Sequence, residues 1–142
     1  MRALIAGLCA LPLSAAASPG YDVSATVSGL RSTKGQVIAC LTADPEAFPN
    51  CDKDPGAIGL TMPASEEVLL DFGQVAAGRY AIAIIHDENT NGKMDKALMM
   101  PREGFGFSRN AKLRLGPPSF EAASFPVEGA SKHQSIRMRY IF

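Results

Sequence analysis

The chain has 142 residues, with 14 Lys and Arg against 14 Asp and Glu, so its formal net charge is zero. That length fits one domain with a true hydrophobic core. The charge balance gives no basic footprint for nucleic acid, and no apolar run reaches the roughly 20 residues that a membrane-spanning helix requires.

The first residues read as an export signal. Arg2 supplies the charged start, Ala3 to Leu13 the apolar stretch, and Ala15-Ala16-Ala17 a small-residue cleavage site. Residues 1–17 are expected to be removed, leaving a single domain over residues 18–142 in the periplasm or outside the cell. Pro12 interrupts the apolar stretch, which argues against an anchor, and Cys9 follows Leu8 where a lipid-attachment site needs a small residue. Cys9 would leave with the signal. The remaining pair, Cys40 and Cys51, predicts one disulfide in an oxidising compartment, worth about 2–3 kcal/mol. Two buried thiols are the alternative; without C-x-x-C spacing a redox pair is disfavoured.

From Tyr21 the pattern has period two. Tyr21, Val23, Ala25 and Val27 alternate with Asp22, Ser24, Thr26 and Ser28, which predicts a half-buried strand ended by Gly29. A turn over Ser32 to Gly35 leads into Gln36 to Thr42, apolar on both sides and so expected to be central. Ala43 to Pro63 is rich in Pro, Asp and Gly and reads as a long excursion with at most one short strand, around Ile58 to Met62. Glu67 to Phe72 is a strand closed by Gly73; Gln74 to Gly78 is a turn; Arg79 to His86 is the most apolar strand of the chain.

Pro101 to Pro118 holds too much Gly and Pro for a regular element and is expected to be a long connection. Ser124 to Val127 and Ser135 to Tyr140 read as closing strands, and no stretch sustains a helical period. The expected fold is all-β, an antiparallel β-sandwich of about seven strands. Gly78-Arg79-Tyr80 resembles the Gly-x-Tyr start of a strand in prealbumin-like sandwiches, so a prealbumin-like or Ig-like arrangement is expected.

The stretch from Tyr80 to Asp95, YAIAIIHDENTNGKMD, carries a buried strand straight into an acidic, Asn-rich loop. With Asp87 as position 1, Asp87, Asn89, Asn91 and Asp95 stand at positions 1, 3, 5 and 9, and Gly92 at position 6. That matches the first half of a calcium loop, in which alternate oxygens turn inward and Gly takes the sharp bend. Position 12, where a bidentate Glu belongs, is Leu98. Two carboxylates predict weak calcium binding, about 10⁻⁴–10⁻³ M, with Glu88 or Glu103 as a source of the missing ligand. The alternative is a hairpin whose Asn91-Gly92 pair makes a tight turn.

A second candidate site is the basic loop, where Arg102, Arg109 and Arg114, with Lys112, surround Phe105 and Phe107. Guanidinium groups beside aromatic faces suit an anionic sugar, a lipid headgroup or a peptide carboxylate. Alternatively both Phe residues pack over the sandwich end while the basic residues are solvated or pair with Glu103 and Glu121. For catalysis there is no G-x-S-x-G elbow, and no spacing sets a Ser beside His86 or His133.

HDENTNGKMD, followed by GFGFSRNA (Gly104 to Ala111) and GPPSFEAASF (Gly116 to Phe125), resembles a family of small exported bacterial proteins classed as a domain of unknown function. The resemblance spans about Tyr21 to Phe142 and implies an exported single-domain β protein. The leading expectation is a non-enzymatic module with calcium as its cofactor, binding a small molecule, glycan or envelope ligand. The alternatives are a small periplasmic enzyme using His86 and the basic loop, or a structural envelope protein whose acidic loop is only a turn.

Overall fold

The structure, a computed structural model, describes residues 7, 9–11, 20–90 and 103–141. Among these, eight strands form: β1 (Tyr21–Ser28), β2 (Gln36–Thr42), β3 (Ile58–Pro63), β4 (Val68–Val75), β5 (Gly78–Asp87), β6 (Gly104–Phe107), β7 (Phe125–Val127) and β8 (Lys132–Arg137). One helical turn, α1 (Phe120–Ala123), precedes β7. One sheet has the order β4-β1-β8. The other has the order β3-β2-β5-β6, with β7 beside the start of β5. The fold is the expected all-β sandwich, antiparallel except that β1 and β8 run parallel.

Strand β5 is buried from Ala81 to Asp87. Ile82 and Ile84 point between the sheets, where they meet Val23, Val27, Leu41, Leu70 and Ile136. Each fully buried aliphatic side chain of this kind contributes about 1.5–3 kcal/mol relative to exposure. Ala81 and Ala83 point the other way, into a second cluster with Phe48, Phe107 and Ala123. That cluster is built by the excursion after β2, which the Cys40–Cys51 disulfide ties back to the sheet, and by the segment around α1. Both faces of β5 are therefore dry, which is why it reads as an unbroken apolar run.

A strand dry on both faces must pair its backbone fully. β2 covers one edge from Ala81 to Asp87. On the other edge β7 pairs with Gly78 to Tyr80 and β6 with Ala83 to His86. Ser108 fills the gap between them: Ile82 N–H donates to Ser108 Oγ at 2.9 Å, and the same hydroxyl donates to the Ala123 carbonyl. Ser108 is wholly buried.

Three expected boundaries change. The connection expected over Pro101 to Pro118 contains β6, because its glycines alternate with phenylalanines. A Cβ on Gly106 would stand 2.9 Å from Ile136 Cγ2 and from Met138 Sδ, and one on Gly104 would stand 2.3 Å from the Tyr140 ring. Only glycine allows β6 to approach the end of β8 so closely, while Phe105 and Phe107 fill the second cluster. The strand expected to close at Gly73 continues to Val75, since Gly73 takes φ +76 where the register with β1 shifts. The last strand starts earlier, at Lys132, and leaves its sheet after Arg137. Met138 N–H still donates to Ser28 O at 2.8 Å, but Arg139 exchanges both backbone hydrogen bonds with Phe105, at 3.0 and 2.9 Å.

Ser108→Ala would leave the Ile82 N–H and the Ala123 carbonyl buried without partners. We expect a loss of about 2–3 kcal/mol, read as a lower urea midpoint at unchanged denaturant dependence.

Candidate functional site

The functional candidates cluster where β5 ends. His86 is fully buried and faces the sandwich interior. Its Nε2 lies 2.7 Å from the Lys34 carbonyl, which can only accept, so Nε2 carries the hydrogen. Its Nδ1 then accepts from the Tyr140 hydroxyl at 2.7 Å. Burial raises the Tyr140 pKa, which keeps that hydroxyl protonated. Arg31 N–H donates to the same oxygen at 3.2 Å, and the Arg31 guanidinium lies 4.6 Å over the Tyr140 ring. Both ring nitrogens of His86 are thus bonded inside the protein, so the histidine pins the β1–β2 turn to the chain after β8.

Asp87 and Glu103 meet because of register. The β5–β6 ladder ends at His86↔Gly104, and the next position on each strand is Asp87 and Glu103. Like charges opposed across a ladder destabilise it. Asp87 is buried, and its Oδ2 accepts from Gln36 Nε2 at 3.0 Å on the other side. The Glu103 carboxyl is pushed up to about 7, first by burial, then by the charge and hydrogen bond of Asp87 and the charge of Glu88. Among the described residues, Glu103 Oε2 is buried with no hydrogen-bond partner.

Glu88 is placed differently. Burial alone would raise its pKa, but hydrogen bonds from Arg31 and Ser32 and the Arg31 charge outweigh burial and lower it. Arg31 Nε reaches Glu88 Oε1 at 2.7 Å and Ser32 Oγ reaches Oε2 at 2.9 Å. Of the two residues expected to supply a further ligand, Glu103 stands with Asp87 and Glu88 is engaged by a cation. The chain then turns sharply: Thr90 N–H donates to Asp87 O at 3.4 Å, and Thr90 sits at φ 58, a left-handed conformation that is rare for a β-branched residue. Asn89 is exposed at this turn. Asn91, Asp95 and Arg102 lie outside the described residues.

The basic loop is divided by the fold. Phe105 and Phe107 are buried, with ring centroids 6.1 Å apart, and Phe107 packs edge-on to Phe48. Arg114 lies with Lys112 along one groove, whereas Arg109 lies in another, beside Arg79 and Lys132. Among the described residues neither Glu103 nor Glu121 forms an ion pair with these cations; the ion pair there joins Arg31 to Glu88.

Sequence spacing set no serine beside a histidine, but the parallel β1–β8 pairing does. Ser24 Oγ lies 2.7 Å from His133 Nδ1, and Thr26 Oγ1 lies 2.8 Å from Nε2. The two hydroxyls clasp both ring nitrogens on the outer face of the three-stranded sheet. The β1–β8 pairing joins these positions, which lie more than 100 apart in the chain, so no local motif signalled this contact.

Over residues 25–135 the chain matches the family described as "Uncharacterized protein conserved in bacteria (DUF2141)", and it belongs to that family. No curated protein and no solved structure matches it. Among the described residues no helix is long and apolar enough to cross a membrane.

Tyr140→Phe would strip His86 Nδ1 of its donor inside the protein, and we expect it to cost about 1–3 kcal/mol in chemical denaturation. Glu103 has the opposite pH signature to a salt-bridged carboxylate. Its folded pKa of about 7 lies above the ordinary 4.5, so the folded chain holds the extra proton between these values. Its contribution is fully present below pH 4.5 and is lost as pH rises through 7. Subtracting the stability profile of Glu103→Gln from that of the wild type should isolate this fall; a flat difference would show that the carboxyl is unperturbed.

Proposed function

We propose that this member of DUF2141 is an exported, non-enzymatic β-sandwich that holds a hard divalent cation, calcium foremost, at the end of β5. Asp87 and Glu103 would supply carboxylate oxygens, and Asn89, Asn91 and Asp95 the remaining side-chain ligands. The observation that carries the reading is the buried, unpartnered Glu103 Oε2 beside buried Asp87. Two carboxylates forced together must share a proton or a cation, and a divalent ion removes their repulsion without protonation. Glu103 supplies the carboxylate that the loop lacks at Leu98.

Among the described residues alone, no set of three or more metal-ligating groups forms; Asp95 would complete one. Export is supported by the Cys40–Cys51 disulfide, a bond favoured in oxidising compartments. A binding role is supported over a catalytic one by the enclosure of His86, whose two nitrogens are already bonded. A bound ion would order the loop leaving β5 and so shape a surface for a small-molecule, glycan or envelope ligand.

Thermal unfolding after chelation, then with calcium or magnesium restored, tests the site. At ten times the dissociation constant, calcium should stabilise the wild type by about 1.4 kcal/mol, a rise of a few degrees. Asp87→Ala with Asp95→Ala should abolish that rise. Glu103→Gln should melt higher than the wild type without calcium at pH 8, and gain less when calcium is added. A full calcium response in the Asp87→Ala, Asp95→Ala protein would overturn the assignment.

A further inference from the structure

At the opposite end of β5 lies a second collection of charge, of the other sign. Arg79 from β5, Arg109 from the turn after β6, and Lys132 and Gln134 from β8 line a cleft of about 450 Å³ floored by Ser124 and Pro126. The two arginines are anchored on one residue. Arg79 Nη2 donates to Ser124 Oγ at 3.0 Å and to Ser124 O at 3.3 Å, and Arg109 Nη1 donates to the same carbonyl at 3.4 Å. Ser124 is buried and its hydroxyl is used up, donating to Glu121 O at 3.2 Å. A shared acceptor sets the two guanidinium groups side by side, within reach of one anion.

The cleft is rich in donors and poor in acceptors. Among the described residues Arg79, Arg109 and Lys132 form no ion pair, and Glu121 lies across Arg79 in the adjoining groove without pairing to it. Arg79 Nη1, Arg109 Nε and Nη2, and Lys132 Nζ bond to nothing in the described protein. Gln134 turns its Oε1 to the Arg109 backbone N–H at 3.1 Å, which leaves its amide N–H groups for the cleft. Among the described residues, three cations and an amide line this cleft and no carboxylate does.

The backbone is bent to hold Arg109 there. Arg109 and Asn110 both take left-handed conformations, at φ 57 and φ 50. Two such residues in succession persist only where their surroundings enforce them. Here Asn110 bonds β8 twice, accepting from Arg137 N–H at 2.9 Å and donating to Ser135 O at 3.4 Å.

We propose that this cleft binds a phosphate-type oxyanion, as free phosphate or as the head of a phosphomonoester. Two forked guanidinium groups held on one serine, with an ammonium lining the same cleft, suit a tetrahedral dianion better than a planar monovalent carboxylate. The site is independent of the cation loop, about 26 Å away along eight strand steps.

Titration calorimetry of the purified protein with inorganic phosphate at low salt is the test. The wild type should bind, and Arg79→Gln with Arg109→Asn should weaken binding at least about tenfold. The Asn retains the left-handed turn and the Gln retains a donor to Ser124, so folding should persist. Lys132→Gln, which removes a side chain with no bond inside the described protein, gives a second reading with the same sign. Lys112→Gln with Arg114→Gln, in the separate groove, should leave binding unchanged. Absence of phosphate binding to the wild type would overturn the proposal, as would equal weakening by the two pairs, which would mark a diffuse charge effect. Phosphatidylcholine vesicles containing phosphatidic acid then identify the source. Cosedimentation lost in the arginine pair would make the ligand a lipid headgroup; phosphate binding without cosedimentation would make it a soluble ester.

Discussion

Everything in this domain follows from keeping β5 out of water on both faces while pairing every backbone group along it. An apolar strand in that position contributes strongly through burial, yet each unpaired N–H or carbonyl on it would cost about 1–3 kcal/mol. β2 settles one edge in a single stretch. The other edge is assembled from β6, Ser108 and β7, which are separate in sequence and converge only because β5 needs them. The disulfide-tied excursion and α1 then exist to roof the outer face.

Both candidate sites arise where this pairing runs out. At one end the β5–β6 ladder stops with two acids facing each other, and their proximity is a consequence of register rather than of sequence spacing. At the other end β7 and the Ser108 turn bring two arginines onto one buried serine. Charge is balanced over the whole chain but not within either cluster. Asp87 is buried, so a counter-charge there meets little solvent screening, whereas Arg79 and Arg109 are exposed and their attraction for an anion weakens with salt.

The parts of the fold carried by period-two alternation were legible from the sequence: β1, β2 and β5 stand where their alternating or continuous apolar patterns place them. β6 was hidden by its glycines. In the sequence Gly104 and Gly106 look like loop residues, whereas they form the thin face of a strand pressed under Tyr140, Ile136 and Met138. The alternation of Gly with Phe was the available signal. Asp87 was visible as the start of an acidic loop, but its pairing with Glu103 depends on the strand offset between β5 and β6. Arg79 and Lys132 could not be joined to Arg109 from sequence at all, since β7 and the start of β8 bring them together.

The parallel pairing of β1 with β8 has a mechanical side. Six residue pairs join these strands, from Val23↔Lys132 to Ser28↔Arg137. Tension drawn from ahead of β1 and from beyond β8 would slide the strands along one another instead of peeling them apart. All the hydrogen bonds between them would then bear load at once, and forced unfolding would be governed by the rate at which they fail together. The final anchor from Arg139 to Phe105 adds the other sheet to the same load path. Such a sandwich can be held taut between two attachments while its strands stay paired.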